Sequence, residues 1–585
     1  MFSSPDGNQP DIASSRSTRG QRKSTRTVFG PRLKKLTAIG LLAPLLSGGG
    51  IPWATSASAQ SRLSGQSSNS TSIIVLPTDN GPFIDDFNPY NPSFNDPADD
   101  DPGVYEPLLI FNDLKPNDIT PWLATSYAFS NGGKTVTFDL RSGVKWTDGT
   151  PFTSADVAFT FQMLKAHSPI NVNGINPTSI SAPNPTTVVL TFAAPQYVNL
   201  VYIAQTLIVP KHIWSSLNPI TYKDPQPVGT GPYTLGSFSP QSYTMVANPN
   251  YWQKGLPKIH SLVYPGYDNI TSSLAIFSRA DWAGYFEPDM QKLYVAPGAG
   301  HNHLWFPSVT PVELIPNVKK YPLNLVDVRK AISLAVDREA IDRDGESGYE
   351  PPATDMAGII PLQSAYIDKS IAGMTPTYNP TEAKKLLKAA GLKMGSNGYF
   401  ESPAGKPINL SFSEPSPFAD WTADAGIVAD NLKKIGLNVT IDGAATATWV
   451  SDNAIGNFDL TINAPATGPS PYYMFNWNLN SALSAPEGST ASSDYGRFTS
   501  PTADLDLAKF ETTDNPAAQQ SALDGLETIM ANDLPDIPLV FGASWDEYST
   551  AKVTGWPDAQ NPYMVPAPYN TPGDELIMLH LTPKS

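Results

Sequence analysis

The stretch WTDGTPFTSADVAFTF, residues 146–161, decides the fold class. Asp148, Gly149 and Pro151 are turn formers, and Thr153 with Asp156 three residues later has the spacing of a capping box, Asp standing in for the usual Glu. Just upstream, KTVTFDLR (134–141) alternates, with Val136, Phe138 and Leu140 on one face and Thr137, Asp139 and Arg141 on the other. The reading is strand, turn, helix, at a junction that carries no evident chemistry.

The same logic recurs along the chain. In NPTEAKKLLKAAGL (379–392), Ala383, Leu386, Leu387 and Ala390 fall on one helical face, with Pro380 near the start and Gly391 just past the end. In DNLKKIGLNVTI (430–441), Asn431, Leu432 and Ile435 continue a helical spacing from Ile427 until Gly436 stops it, and Leu437, Val439 and Ile441 then alternate as a strand. VDVRKAISLAVDREAI (326–341) reads as a further amphipathic helix with Val328, Ala331, Ile332 and Ala335 inward. Helices feeding strands at this spacing predict α/β layers, and no fixed-period repeat argues for a solenoid or propeller.

At 585 residues with 40% hydrophobic composition, the chain exceeds what one core usually serves, so two or three domains are expected. Cysteine is absent, which excludes disulfides, a thiolate nucleophile and a lipid-modified N-terminal Cys. Eight basic residues from Arg16 to Lys35 precede the apolar run LTAIGLLAPLL (36–46) and then ASA at 57–59, the pattern of a cleavable secretory signal over residues 1–59. The eleven-residue apolar run is shorter than a membrane span needs. QSRLSGQSSNSTS (60–72) reads as a flexible tether before the strand SIIVL (72–76). Of the 38 basic and 54 acidic residues, eight and two lie in 1–59, so the mature balance is 30 against 52, or −22. That charge opposes nucleic acid and anionic membrane surfaces as partners.

Several chemical signals fail on spacing. GGKT (132–135) lacks the first glycine of a phosphate loop, and GTGPYTLG (229–236) runs into a strand-like segment where a dinucleotide fingerprint needs a helix. His301 and His303 have no third ligand nearby, and Asp85 with Asp86 reads as a loop pair rather than an acid/base couple; no metal site or cofactor is expected. What stands out is Trp and Tyr placed beside turn residues: DWAGYF (281–286), PSPYYMFNWNLN (469–480), SWDEY (544–548) and NPYMVPAPY (561–569). Such rings either plug domain interfaces or line a cleft.

VYEPLLIFN (104–112) followed by TPWLATSYAFSNGGKTVTFDLRSGVKWTDGTPFTSADVAFTFQML (120–164) resembles the signature region of the extracellular solute-binding proteins of family 5. The resemblance continues in order through PVGTGPYTL, NPNYW, VDVRKAISLAVDREAI, NPTEAKKLLKAAGL and DNLKKIGLNVTI, and covers essentially the whole mature chain. It implies a two-lobed α/β periplasmic-binding-protein fold with mixed sheets, a hinge and an enlarged first lobe. Lobe I would hold residues 60–300 and 541–585, and lobe II residues 301–540. The function implied is that of the binding component of an ABC importer, a monomer outside the cytoplasm that closes on a ligand and delivers it to a permease without covalent chemistry. Two segments depart from the family's commoner pattern, SRADW (278–282) before the first crossing and RDGESGYEPPATDM (343–356), which is short of the usual apolar residues.

The resemblance also bears on the ligand. Peptide binders of the family commonly carry an Asp after a strand like FDLTINA (458–464) to pair with a peptide ammonium, and here no Asp occurs from Asn463 to Asn480. An unpaired buried ammonium is costly, so an oligosaccharide is favoured over an oligopeptide. The expected stacking platforms are Trp282, Trp477 and Trp545; Tyr285, Tyr472 and Tyr473 are further aromatic contacts, and Asn463 and Asn476 polar ones. Two rivals from other classes are a secreted carbohydrate-active hydrolase, for which no positioned carboxylate pair can be named, and a structural surface protein, which the lack of repeats opposes.

Overall fold

The computed structural model describes residues 71–584, apart from 78–81, 91–95, 99–101, 116–117 and 267–269. The expected signal and all but the end of the tether lie outside the described residues.

The 146–161 junction forms as read. Val136, Phe138 and Leu140 of the strand Thr135–Leu140 are buried. Gly149 takes the positive φ of 90° that the turn requires, and Thr150 donates its N–H to Asp148. Thr153 caps the helix Ser154–Ala166, with both halves of the capping box present. Trp146 is buried edge-on against Phe152, and the Thr147 N–H donates to the carbonyl of Gly229, which ties this turn to the GTGP segment. The junction is therefore a structural corner.

Three principal sheets organise the described residues. A seven-stranded mixed sheet runs in the spatial order 302–304, 547–549, 282–283, 72–76, 261–265, 242–247, 233–239, with Ser72–Leu76 parallel to both of its neighbours. A four-stranded antiparallel sheet, Ala124–Ser130, Thr135–Leu140, Thr187–Thr191 and Ser179–Asn184, belongs to the same first part of the chain. A five-stranded mixed sheet runs 438–444, 409–415, 460–463, 308–316, 537–543. We call the part built on the first two sheets the first lobe and the part built on the third the second lobe. None of the described helices is long and apolar enough to cross a membrane.

The helices of the second lobe show how far periodicity reaches. Asn379 caps Pro380–Ala389, which buries Ala383 and Leu387, and Gly391 follows with a φ of 90°. Ala419–Ile435 buries Leu432 and Ile435 and stops at Gly436, φ 95°. Val326–Ala335 buries Val328, Ala331, Ile332 and Ala335 as expected, but the helix does not run on to Ile341. Val336 is extended, Asp337 caps a new turn through the Ala340 N–H, and Arg338 turns inward to donate to the carbonyl of Pro538 at 2.7 Å. Ile441 also departs from its expected inward face: it lies on the outermost strand of the five-stranded sheet and is exposed.

Candidate functional site at the lobe junction

The chain crosses between the lobes twice, and the two crossings are paired with each other. Asn302–Leu304 runs antiparallel to Glu547–Ser549, with Leu304 opposite Glu547. Past these strands the Trp305 N–H donates to the Asp546 carbonyl at 3.1 Å and the Ser544 N–H donates to the Pro307 carbonyl at 2.9 Å. Ser308 then faces Ala543 where Ser308–Pro316 pairs with Ile537–Ala543. One antiparallel ribbon thus passes from the seven-stranded into the five-stranded sheet.

Aromatic rings gather on this ribbon. Trp545 is half-buried, with Phe306 at 5.0 Å, Phe286 at 5.1 Å and Tyr349 at 6.3 Å between ring centres. Its neighbour Asp546 is fully buried and accepts from the indole N–H of Trp282 at 3.0 Å. Glu547, equally buried, accepts from the Tyr285 N–H at 3.2 Å. Burial holds both carboxyls well above their ordinary range, and for Glu547 the adjacent Asp546 adds to it.

Trp282 itself has no exposed surface: its N–H also reaches the Pro566 carbonyl, and its ring lies tilted on Trp556 at 5.6 Å. No face of this indole is open for stacking in this conformation. Gly284 explains the small residue in DWAGYF, since a Cβ there would stand 2.6 Å from Tyr569 and 2.8 Å from Pro568. The two aromatic segments expected along a cleft, 281–286 and 561–569, here pack on each other.

The helix Tyr472–Leu479 carries the other group of expected residues. Tyr473 is buried, donates its hydroxyl to the Val198 carbonyl of the first lobe at 2.8 Å and meets the ring of Tyr202 edge-on at 5.9 Å. Tyr472 is buried in a stack on Phe510 at 4.7 Å. Asn476 and Trp477 are half-buried; Asn476 accepts from the Asn480 amide, and Trp477 stands edge-on to Tyr495 at 5.8 Å. Asn463, half-buried at the end of Leu460–Asn463, accepts from its neighbour's N–H. The expected residues therefore fall in separate places: Trp282, Tyr285 and Trp545 at the ribbon, Tyr472, Tyr473, Asn476 and Trp477 on one helix, and Asn463 at a strand end.

Sequence reasoning passed over residues that complete the junction. Asp113, two residues beyond the strand Leu109–Phe111, is half-buried and makes no hydrogen bond through its carboxyl among the described residues. Burial pushes it up to about 6, and its charge reaches Tyr202 and Tyr473. Tyr202 also lines an open groove of about 260 Å³ with Tyr90, Asn171, Asn173, Gln205 and Thr206, and among the described residues no Asp, Glu, Lys, Arg or His contributes to its walls. The only sequence signal for Asp113 was its place directly after VYEPLLIFN, and the groove residues gave none. Aromatic rings and neutral amides suit an uncharged ligand, and, separately, a two-stranded crossing is the kind of connection about which two lobes can close.

Residues 118–485, well over half of the chain, match the family of bacterial extracellular solute-binding proteins, family 5, and the chain belongs to that family. It is a substrate-binding protein of the kind that serves ABC importers. The chain is 28% identical over 442 residues to the glutathione-binding protein of Shigella dysenteriae serotype 1, covering 72% of this chain and 80% of that protein. Among solved structures it is similar to the periplasmic oligopeptide-binding protein of an oligopeptide ABC transporter from Thermotoga maritima, with a TM-score of 0.79 and 26% identity over 88% of this chain and all of the other. The same Thermotoga protein solved with bound mannohexaose gives a TM-score of 0.75 at 26% identity over 89% of this chain and all of the other. The α/β two-lobed architecture is thus established, and these relatives are solute binders rather than enzymes.

Proposed function

We propose that the chain captures an oligosaccharide between its lobes and delivers it to an ABC permease, with the ribbon at 305–307 and 544–546 as the bending element. The observation that carries this reading is an uncharged groove walled by first-lobe residues next to the Tyr202–Tyr473 contact with the second lobe, where Tyr90 and Tyr202 supply aromatic rings and Asn171, Asn173, Gln205 and Thr206 supply amide and hydroxyl groups. Neutral amides and aromatic faces match sugar hydroxyls and sugar ring faces. Trp477, Asn476, Asn463 and Trp545 keep open surface and are the further contacts of this reading. The likeness to a protein solved with mannohexaose supports it.

The lobes are taken as 60–300 with 541–585 and as 301–540, with the crossing strands Asn302–Leu304 and Ile537–Ala543 each reaching a few residues past these bounds into the sheet they join. The chain is exported by a signal ending near residue 59, acts as a monomer outside the cytoplasm, and performs no covalent chemistry on its ligand.

A second reading rests on Asp113. A half-buried carboxylate at the junction suits a peptide ammonium, and relatives named for glutathione and oligopeptides accord with it. A thermal-shift screen decides between the two, using cello-, xylo- and manno-oligosaccharides beside di- to octapeptides and glutathione. Ligands that bind only the folded state raise the melting temperature by mass action. Stabilisation by sugars, lost in Trp477→Ala, is expected. Stabilisation by peptides or glutathione alone, weakened in Asp113→Asn, would overturn the sugar reading.

A further inference from the structure

The segment RDGESGYEPPATDM, short of apolar residues, places Glu346 and Glu350 inside the second lobe, while Asp344 stays exposed. Glu346 and Asp424 have no exposed surface and Glu350 is 3% exposed. Glu346 follows the turn Ile341–Gly345, Asp424 comes from the helix Ala419–Ile435 packed on that turn, and Asp424 approaches so closely that a Cβ on Gly345 would lie 2.0 Å from its Oδ1.

Among the described residues no N–H or O–H group donates to either oxygen of Glu346, to either oxygen of Asp424, or to Oε2 of Glu350. The strand Ile537–Ala543 contributes one donor, the Ala543 N–H to Oε1 of Glu350 at 2.7 Å. The other charges nearby worsen the imbalance. Asp342 and Asp420 add their carboxyls to the cluster, and Glu339 faces Asp342. Arg343 reaches Asp342 only through space and is ion-paired with exposed Asp344, while Arg338 donates to Pro538 and Ser333. Among the described residues no Lys, Arg or His is ion-paired with the cluster.

A carboxylate sealed from water with no donor and no cation is very costly, whereas a carboxylic acid supplies its own donor. Glu346 and Asp424 face each other within hydrogen-bond reach, an arrangement that two carboxylates avoid and that two carboxylic acids, each able to donate as well as accept, favour. Among the described residues no group of three or more acids and histidines is arranged to hold a metal ion.

We propose that Glu346, Glu350 and Asp424 retain protons when the chain folds, so that the second lobe is fastened by carboxylic acid hydrogen bonds and the protein is built to be most stable in an acidic medium. Burial, with neighbouring acids contributing, raises all three, Glu346 to about 8. An unfolded carboxyl titrates near ~4. Between these limits the folded state binds more protons than the unfolded state, so stability is complete below about 4 and declines as pH rises through about 8. Buried Glu313 and Asp536 in the same lobe, and Asp546 at the crossing, have donor-less oxygens of the same kind.

The test is the melting temperature of the full chain from about pH 4 to about pH 9, for the native protein and for Glu346→Gln with Asp424→Asn. The native protein should lose stability as pH rises, and the double variant should lose several degrees less across that range. Equal slopes would overturn the proposal. If the variant does not fold, the native protein in D2O at neutral pH should still show the infrared carbonyl band of protonated carboxyls, and its absence would be equally decisive. A rise in melting temperature on adding Ca2+ that the double variant abolishes would assign the cluster to a cation and overturn the proton reading.

Discussion

The hydroxyl of Tyr473 donates to the main-chain carbonyl of Val198 at 2.8 Å, and this bond joins the second lobe to the first at the side of the molecule where Tyr202 lines the groove. Tyr473→Phe keeps the ring contact with Tyr202 and removes the bond. The loss should be about 1 kcal/mol. Small-angle scattering of the ligand-free variant should show a larger radius of gyration than the native chain. An unchanged radius would mean that the bond does not hold the lobes together.

Trp282 should behave as a core residue. Trp282→Ala removes a fully buried indole and should cost about 3–5 kcal/mol by denaturant titration. Trp282→Phe keeps much of the packing but takes the N–H from Asp546, and should cost about 1–3 kcal/mol. A ligand affinity that falls in Trp282→Phe with no change in stability would return this residue to the binding surface.

How much of this could be read in advance depends on how local the cause is. The corner at Thr153 was legible because cap, turn and alternating strand all lie within a few residues of one another. The break after Ala335 was not, because the apolar pattern continues unbroken and the break is secured by Arg338 reaching the carbonyl of Pro538, two hundred residues away in the chain. Aromatic residues beside glycines stand out in the sequence, but a sequence does not say what covers a ring. Gly284 admits Tyr569 and Pro568 against the 281–286 segment, so Trp282 faces protein. Asp113 escaped notice because one acid after an apolar strand looks like any solvated loop residue until the fold desolvates it near Tyr202 and Tyr473.

Gly229→Ala should be far more damaging than a methyl group suggests. The added Cβ would fall 1.7 Å from the Val104 carbonyl oxygen, a backbone atom that cannot rotate aside. The expected cost is about 3 kcal/mol or more, at the upper end of overpacking penalties, and is read as a lowered urea midpoint. A variant as stable as the native chain would mean that the 104 and 229 segments separate without penalty.

The carboxyl of Asp113, raised by burial to about 6, gives the junction its own pH dependence. Its unfolded counterpart titrates near ~4, so the stability it contributes is present below that value and is lost as pH rises through about 6. Asp113→Asn should flatten this part of the melting-temperature profile. The same variant tested with a sugar that stabilises the native protein should keep that sugar's effect if the ligand is neutral.

Because Leu304 lies opposite Glu547 and Ser308 opposite Ala543, the second lobe is topologically a long excursion between the two arms of a hairpin. The order of synthesis therefore differs from the order of completion. The first lobe, begun at Ser72, lacks a strand between Trp282–Ala283 and Asn302–Leu304 until Glu547–Ser549 has been made, while every strand of the second lobe has emerged by Ala543. Genetic excision can exploit this: joining Leu304 to Glu547 through a short turn closes the hairpin and should release the first lobe as a single continuous gene product.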